Sequence, residues 1–347
     1  MDRLSVLRRI APEVVELAER RHLVLQRIRS SQPVGRRALA VRLGWPERMV
    51  RKEMDFMREL GLVTADAAGM HLSPSGESVL DALGGVVREL RGLASLEAEL
   101  ARRLNLRDVI VVPGDSEHDE SVKRELARAT AAYLRQVLHD GMTLAVTGGT
   151  TLAEVARALP AAQKASDVTV VPARGGMGEE VELQANTVAA QIAARLGGSY
   201  RLLHIPDDLG EETLTSLSAE PKIKELLDLI KRADVVLHGV GTAEEMARRR
   251  GMGDEVVAQL ERAHAVGEAF GYYFDARGDI IYSTSSVGLR LEDLSGVGLV
   301  IAVGGGHQKA NAALAVLCTQ HQHVFITDEG AARAMLAKMG VEVEAGS

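Results

Sequence analysis

The N-terminal part of the chain carries apolar positions at helical spacing, set among basic residues. Apolar residues recur every three to four positions over residues 14–28, which predicts a first helix. Two shorter helices are predicted over 36–43 and 47–60, separated by Gly44-Trp45-Pro46, because glycine can leave a helix with positive φ and proline suits the first turn of the next. The apolar stripe of the third helix consists of Val50, Met54, Met57 and Leu60.

Basic side chains lie largely off this stripe, and Arg48, Arg51 and Lys52 are the candidates for DNA contacts. Between Arg20 and Arg58 there are eleven Arg and Lys residues against three acidic ones, although the whole chain has a net charge of −7. Apolar runs at 62–64 and 70–72 flank a turn, as in a hairpin wing. This pattern predicts a winged helix-turn-helix that reads the major groove. The alternative is a solvated helical surface, and the pattern does not separate base contacts from phosphate contacts.

A second apolar stripe follows Ser73-Pro74, a pair that is typical of a helix start. The stripe is formed by Leu80, Leu83, Val87, Leu90, Leu93, Leu96, Leu100 and Leu104. It predicts either a coiled-coil seam that pairs two subunits or a helix packed on its own domain.

From residue 109 onward, β-rich runs alternate with helical patterns. Strands are predicted over 109–112, 143–147, 168–172, 200–205, 235–240, 299–303 and 324–327, and helices over 120–138, 151–159, 185–196, 221–231 and 308–317. This alternation predicts a doubly wound α/β domain with a parallel sheet, and an antiparallel insert is predicted over 271–283. We therefore expect a winged helix-turn-helix domain with its linker helix over 1–90 and an effector-binding domain over 91–347.

Two glycine-rich loops, TGGTT at 147–151 and GGGHQK at 304–309, each lie between a predicted strand and a predicted helix. Ligands bind at such places in doubly wound domains. Glycines let the backbone approach an anion, and helix N–H groups, threonine hydroxyls and Lys309 supply donors. We interpret both loops as parts of an anion-binding site, with a tight, capped turn as the alternative.

Other polar residues lie near predicted strand ends, namely Arg174, Gln184 and Glu268. Glu268 is a poor phosphate ligand but can accept hydrogen bonds from sugar hydroxyls. The run Arg248-Arg249-Arg250 closes a predicted helix and is either surface charge or a second phosphate contact.

The composition excludes several classes of protein. The single cysteine, Cys318, excludes a disulfide framework and a cysteine-rich zinc site. No apolar stretch approaches the roughly 18 residues that cross a bilayer, and the N-terminus is too charged for a signal peptide. We expect a cytoplasmic protein without catalytic residues, metal or cofactor.

The motifs TGGTTLAEVA, PARGGMG, LHGVGTAEEM and AVGGGHQKANA, behind a winged helix-turn-helix, resemble the SorC family of sugar-responsive transcription regulators. The resemblance covers essentially the whole chain. It implies an α/β domain similar to ribose-5-phosphate isomerase and glucosamine-6-phosphate deaminase. It also implies a repressor of a glycolytic operon that binds operator DNA as a homodimer or homotetramer and whose assembly is weakened by fructose-1,6-bisphosphate.

The resemblance further implies roles for individual residues. One phosphate would lie against Gly149, Thr150, Thr151, Arg174 and Lys309, the sugar against Gln184 and Glu268, and the second phosphate against Arg249.

An alternative hypothesis is a sugar-phosphate isomerase or deaminase with an accessory DNA-binding domain. Isomerisation needs a base beside the carbon that is deprotonated. Ribose-5-phosphate isomerases carry an Asp-Gly-Ala-Asp-Glu loop, whereas the comparable stretch here, residues 237–242, has no carboxylate before Glu244. This departure favours binding without chemistry, although Glu268 stays a candidate base.

Overall fold

The chain forms two units, one ending at Ser95 and one beginning at Leu96. The computed structural model describes residues 9–176, 180–206, 209–284 and 287–341. Met177 and Gly178 of the PARGGMG motif therefore lie outside the described residues.

The N-terminal unit has the predicted winged helix-turn-helix arrangement. Its elements are α1 (Pro12–Ser31), α2 (Arg36–Leu43), α3 (Glu47–Glu59), β1 (Val63–Ala65), β2 (Met70–Leu72) and α4 (Pro74–Leu90). Gly44 ends α2 in the left-handed conformation, with φ 64°. The antiparallel pair of β1 and β2 forms the wing. Leu25, Ile28, Leu39 and Val50 belong to the buried core of this unit.

One position of the predicted stripe on α3 lies differently. Val50, Met54 and Met57 are buried, but Leu60 is 56% exposed. The reason is that α3 ends at Glu59, and Leu60 is its C-cap residue, one step beyond the regular helix.

The leucine-rich stripe does not run along one continuous helix. Gly92, with φ 64°, separates α4 from α5 (Leu93–Leu104). The stripe positions buried within the single chain are Leu80, Val87, Leu90, Leu93, Leu96, Leu100 and Leu104. This burial favours helices packed on their own chain over an open seam for a second subunit.

The second unit contains the predicted parallel sheet and a smaller antiparallel one. Its strands are β3 (Asp108–Val112), β4 (Thr143–Val146), β5 (Thr169–Pro172), β6 (Ser199–Tyr200), β7 (Val235–Gly239), β8 (Gly241–Thr242), β9 (Gly267–Ala269), β10 (Tyr272–Phe274), β11 (Ile280–Ser283), β12 (Leu299–Val303) and β13 (Val324–Asp328). The parallel sheet has the order β3-β13-β12-β7-β4-β5-β6. Its strands are rich in valine and buried on both faces, as helices on both sides require.

Nine further helices of the described residues accompany these sheets. They are α6 (Glu120–Val137), α7 (Thr150–Ala158), α8 (Ala185–Leu196), α9 (Glu211–Ala219), α10 (Pro221–Lys231), α11 (Ala243–Arg249), α12 (Asp254–Arg262), α13 (Ala310–Cys318) and α14 (Glu329–Lys338). A 3-10 turn, His307–Lys309, precedes α13, so the helix predicted over 308–317 begins later than expected. No helix in the described ranges is long and apolar enough to cross a membrane.

The predicted antiparallel insert is present and extends further than expected. The sheet has the order β11-β10-β9-β8, so it reaches back to Gly241. Gly241 pairs with Glu268, and Glu268 in turn pairs with Tyr273. The antiparallel sheet therefore places Glu268 close to the carboxyl end of β7.

The strand predicted over 200–205 was too long. β6 comprises Ser199–Tyr200 alone. Beyond it, the N–H and C=O of Leu203 both bond the side-chain amide of Asn186 at 3.0 Å. The backbone of Leu203 thus bonds a side chain instead of a neighbouring strand, so the strand pairing of β6 does not continue to this residue.

Candidate functional site

A cleft lies at the carboxyl ends of β4 and β7, as expected for a doubly wound sheet. Its empty space, including solvent at its mouth, is about 780 Å³. The eight predicted effector-site residues all line it, namely Gly149, Thr150, Thr151, Arg174, Gln184, Arg249, Glu268 and Lys309. The fold thus brings together side chains from distant parts of the sequence.

The TGGTT loop places the start of α7 at the cleft. The N–H of Gly149 donates to the carbonyl of Leu183 at 2.8 Å, and Gly149 has φ 113°. A Cβ on Gly148 would lie 2.3 Å from the same Leu183 oxygen, so glycine is required there. The first-turn N–H groups of a helix have no acceptor within the helix, and the helix dipole gives them partial positive charge. The arrangement suits a phosphate.

Gln184 connects this loop to the next helix. It is the N-cap residue of α8, and its backbone N–H donates to Val181 at 3.3 Å. The preceding carbonyl, that of Leu183, is the one that holds Gly149. Gln184 therefore lies against the glycine turn and lines the cleft.

Two cations face the start of α7 and share one carboxylate. The ammonium of Lys309 lies 3.1 Å from Glu245 Oε2, and Arg249 Nη1 lies 3.8 Å from Glu245 Oε1. The Arg249 guanidinium also lies beside Gly149, because a Cβ on that glycine would be 3.9 Å from Nη1. Lys309 and Arg249 thus form a cationic wall next to the glycine turn.

The charges in this wall influence one another. Burial would raise the pKa of Glu245, but Lys309, Arg249 and Lys123 outweigh it and lower the pKa. Burial, and then the charge of Lys309, lower the pKa of Lys123 on α6. Glu245 is therefore an ionised carboxylate that competes with any bound anion for the same cations.

A second cluster of charges lies deeper in the cleft, around Glu268. Its Oε1 lies 3.4 Å from Arg174 Nη1 and 3.1 Å from Arg250 Nη2, and it accepts the N–H of Gly271 at 2.6 Å. Glu268 is 4% exposed and Arg174 is 7% exposed. Glu268 thus holds two arginines at the cleft wall, a positioning task that sequence analysis did not assign to it.

The structure distinguishes the three consecutive arginines. Arg248 pairs with Glu244 at 2.7 Å, and both side chains are more than 70% exposed. Arg249 and Arg250 both line the cleft. Sequence analysis left open which arginine of the run contacts a ligand, and it missed Glu245. The positions of Arg250 and Glu245 depend on Glu268 of β9 and on Lys309, which come later in the chain.

His238 lies directly behind the cleft. It is buried, its Nδ1 lies 2.9 Å from the Gly239 carbonyl oxygen, and its ring centroid lies 4.7 Å from that of Phe270. Burial lowers the pKa of His238 to about 4. The imidazole is therefore neutral and contributes packing instead of charge.

The cleft offers no ligand set for a transition metal. Among the described residues that line it there is neither histidine nor cysteine, and its two carboxylates, Glu245 and Glu268, are paired with cations. The cleft instead presents backbone N–H groups and cations, which suit an anion.

The N-terminal unit carries an exposed basic face on α3. Arg48, Arg51 and Lys52 are exposed, while Val50 and Met54 are buried on the other side of the helix. Arg36 and Arg37 at the start of α2 are also exposed, and sequence analysis did not single them out. The second helix of the helix-turn-helix therefore presents cations to solvent, as a groove-reading helix does.

Comparisons with known proteins also divide the chain into a DNA-binding part and a sugar-binding part. The model of the CggR N-terminal DNA binding domain matches residues 17–87, and that of a sugar-binding domain matches residues 88–337. Central glycolytic genes regulators from Priestia megaterium and Bacillus subtilis are 43% and 40% identical, and each alignment covers 96% of this chain and 98% of the relative.

Solved structures give the same result for the fold. The crystal structure of a SorC family transcriptional regulator from Enterococcus faecalis is 39% identical, with a TM-score of 0.65, and covers 70% of this chain and 99% of its own. A DNA-binding unit and a sugar-binding unit thus occur in one chain, and the chain belongs to the SorC family of transcriptional regulators.

Proposed function

We propose that this protein represses a glycolytic operon and that fructose-1,6-bisphosphate weakens its binding to the operator or its assembly there. The glycolytic target is supported by the names of the two regulators that match the chain over nearly its full length. The repressor binds operator DNA through α3 as a homodimer or homotetramer, in line with the two-fold symmetry of operators.

The observation that carries the choice of ligand is the charge of the cleft. Four cations, Arg174, Arg249, Arg250 and Lys309, line it against two carboxylates. The excess of positive charge stands out in a chain whose net charge is −7. A neutral sugar carries no negative charge for these cations to bind, whereas a sugar with two phosphates is complementary to them in charge.

One phosphate binds at the start of α7, where it accepts hydrogen bonds from first-turn N–H groups and from the hydroxyls of Thr150 and Thr151. Lys309 and Arg249 stabilise it by charge, since hydrogen bonds between ions are the stronger kind. Because Arg249 lies beside Gly149, we assign it to this phosphate as well as to the second phosphate, the role that the resemblance implies for it. The resemblance implies that Arg174 contacts the first phosphate, but Glu268 holds Arg174 together with Arg250. We therefore assign both arginines to the other end of the ligand.

The cleft acts as a receptor and not as a catalyst. Glu268 is the candidate base, but its Oε1 already accepts hydrogen bonds from Arg174, Arg250 and Gly271. A carboxylate held by two guanidinium groups and a backbone N–H is not free to approach a substrate carbon.

Fluorescence anisotropy tests the proposal. The full-length protein is titrated onto a labelled DNA fragment from the promoter region of the glycolytic operon, with and without fructose-1,6-bisphosphate. A coupling of about 1–3 kcal/mol corresponds to a change of about five- to 150-fold in apparent affinity or in cooperativity. Unchanged binding at saturating bisphosphate contradicts the allosteric part of the proposal.

A thermal melting panel tests the identity of the ligand. Ligand binding adds RT ln(1 + [L]/Kd) to the free energy of unfolding, so a tight ligand raises the melting temperature more than a weak one at the same concentration. We expect the largest shift for fructose-1,6-bisphosphate against monophosphates, deoxyribose phosphate and free sugars. Incubation with ribose-5-phosphate and glucosamine-6-phosphate tests the enzyme hypothesis, and turnover that is lost in Glu268→Gln would support it.

A further inference from the structure

Two histidines and an aspartate meet outside the cleft, where the loops after β3 and β12 come together. Asp115 and His118 belong to the first loop, and His307 opens the 3-10 turn after β12. Asp115 Oδ2 lies 2.7 Å from His307 Nδ1 and 3.2 Å from His118 Nδ1. One ligand-type atom from each residue lies within 4.8 Å of the other two. None of the three residues lines the cleft.

We propose that Asp115, His118 and His307 bind a divalent transition-metal ion of the Zn²⁺ or Co²⁺ kind. Imidazole nitrogen and carboxylate oxygen are donors that these ions accept. Ligand atoms at about 2.1 Å from such an ion are about 3.0 Å apart at neighbouring corners of an octahedron and about 3.4 Å apart in a tetrahedron. The observed separations of 2.7 and 3.2 Å are close to these values.

A buried carboxylate fixes the two loops that supply the ligands. Asp328 ends β13, which lies between β3 and β12 in the sheet. Its Oδ2 accepts the N–H of Ser116 at 2.9 Å, the hydroxyl of Ser116 at 2.5 Å and the N–H of Gly306 at 2.7 Å. Asp328 has no solvent exposure. Asp328 therefore holds the backbone of both loops at positions next to Asp115 and His307.

The cluster is accessible from solvent. The side chains of His118 and His307 are 73% and 40% exposed, and an ion reaches them from solvent. The two rings are stacked, with centroids 5.0 Å apart, and present both Nδ1 atoms to the same carboxylate.

This inference departs from the expectation of a metal-free protein. Sequence analysis excluded a cysteine-rich zinc site, whereas Asp115 and His118 are separated from His307 by most of the α/β domain and show no spacing motif. The sheet order, which places β3 and β12 on either side of β13, is what brings the three together.

Calorimetric titration of tag-free, chelator-treated full-length protein with Zn²⁺ alone tests the site, and the visible absorption of Co²⁺ reports its ligands. We expect one ion per chain. His118→Ala and His307→Ala each reduce the affinity by at least about tenfold, since loss of a direct ligand costs no less than loss of an outer-shell partner. They also change the Co²⁺ spectrum.

His204→Ala is the matched control, because His204 is an exposed histidine outside the cluster, and it should bind the ion like the unsubstituted protein. His118 is largely exposed, so we expect metal-free His118→Ala to melt at the same temperature as the metal-free unsubstituted protein. A loss of ion binding in this variant is then not caused by misfolding. The proposal is wrong if the unsubstituted protein takes up no ion, or if all three variants bind it equally. Neither result bears on the bisphosphate cleft.

Discussion

The ammonium of Lys309 lies 3.1 Å from the carboxylate of Glu245. The same carboxylate also faces Arg249, so one acidic side chain satisfies both cations of the wall beside α7. A phosphate that binds at the start of α7 must replace Glu245 as the ion-pair partner of Lys309 and Arg249. In the proposed site, the affinity for the effector therefore depends on this competition with Glu245 as well as on direct contacts.

Glu245→Gln should increase the affinity for fructose-1,6-bisphosphate, because it removes the competing charge and keeps the shape of the side chain. A partly exposed ion pair contributes about 0.2–1 kcal/mol, so the gain is at most about fivefold. Isothermal titration calorimetry measures it. Glu244→Gln is the control, since Glu244 pairs with the exposed Arg248. A weaker affinity in Glu245→Gln would show that this carboxylate contributes to binding.

Lys309→Ala should weaken effector binding and leave effector-free DNA binding intact. A hydrogen bond to a charged group contributes about 1.5–3 kcal/mol, which corresponds to a loss of about ten- to 150-fold in affinity. Calorimetry with the bisphosphate and anisotropy with DNA separate the two activities. Lys222→Ala, at an exposed position of α10, should change neither. An equal loss of both activities in Lys309→Ala would indicate misfolding.

Arg250→Ala should destabilise the protein as well as weaken effector binding. Arg250 donates a hydrogen bond to the buried carboxylate of Glu268, which keeps Arg174 as a partner when Arg250 is removed. The expected loss is therefore that of one hydrogen bond to a charged group, about 1.5–3 kcal/mol. Urea unfolding measures the free energy of unfolding. Arg248→Ala changes an exposed arginine of the same run and should stay within about 0.5 kcal/mol of the unsubstituted protein. Equal stabilities of the two variants would contradict the assigned role of Arg250.

Arg51→Ala should weaken operator binding. If Arg51 contacts a phosphate, the slope of log K against log salt should fall by about one, and the loss should be similar for all DNA sequences. A loss that depends on one base pair would identify a base contact instead. Anisotropy over a range of salt concentrations distinguishes these outcomes, with Lys222→Ala again as the control. Unchanged affinity and slope would remove Arg51 from the interface.

Acid should destabilise the α/β domain through His238. Its pKa is about 4 in the folded protein against about 6.5 in the unfolded chain, so as the pH falls from 6.5 to 4 the unfolded state binds a proton that the folded state does not. This contributes a loss of up to about 1.4 kcal/mol per pH unit within that window. His238→Phe keeps a ring beside Phe270 and should flatten the dependence in urea unfolding, whereas His204→Phe should not. Parallel pH profiles of His238→Phe and the unsubstituted protein would contradict this account.

The fold could be predicted largely from local patterns. Strands such as Leu299–Val303 are continuous apolar runs, and helices such as Ala185–Leu196 show clear periodicity. The spacing of apolar residues therefore predicts both kinds of element. The run from Tyr200 to Ile205 is equally β-rich, but the side chain of Asn186 satisfies the backbone of Leu203 and ends the strand. Propensity does not report such a tertiary contact.

The site was predictable where chemistry coincides with a loop motif. Gly149 and Lys309 lie in glycine-rich turns between a strand and a helix, a setting that favours anion binding over a plain capped turn. Arg250 looks like its neighbour Arg248 in the sequence, and only the position of Glu268 on β9 makes one buried and the other exposed. Pairings between charges far apart in the chain depend on the completed fold.

The hydrogen bond from Gly149 to Leu183 has a further consequence for the proposed binding site. The protein's own carbonyl already closes the glycine turn, so a phosphate that binds there does not have to order it. The loss of conformational entropy that weakens binding to flexible loops is therefore met during folding. Preorganisation of this kind leaves more of the contact energy to appear as affinity.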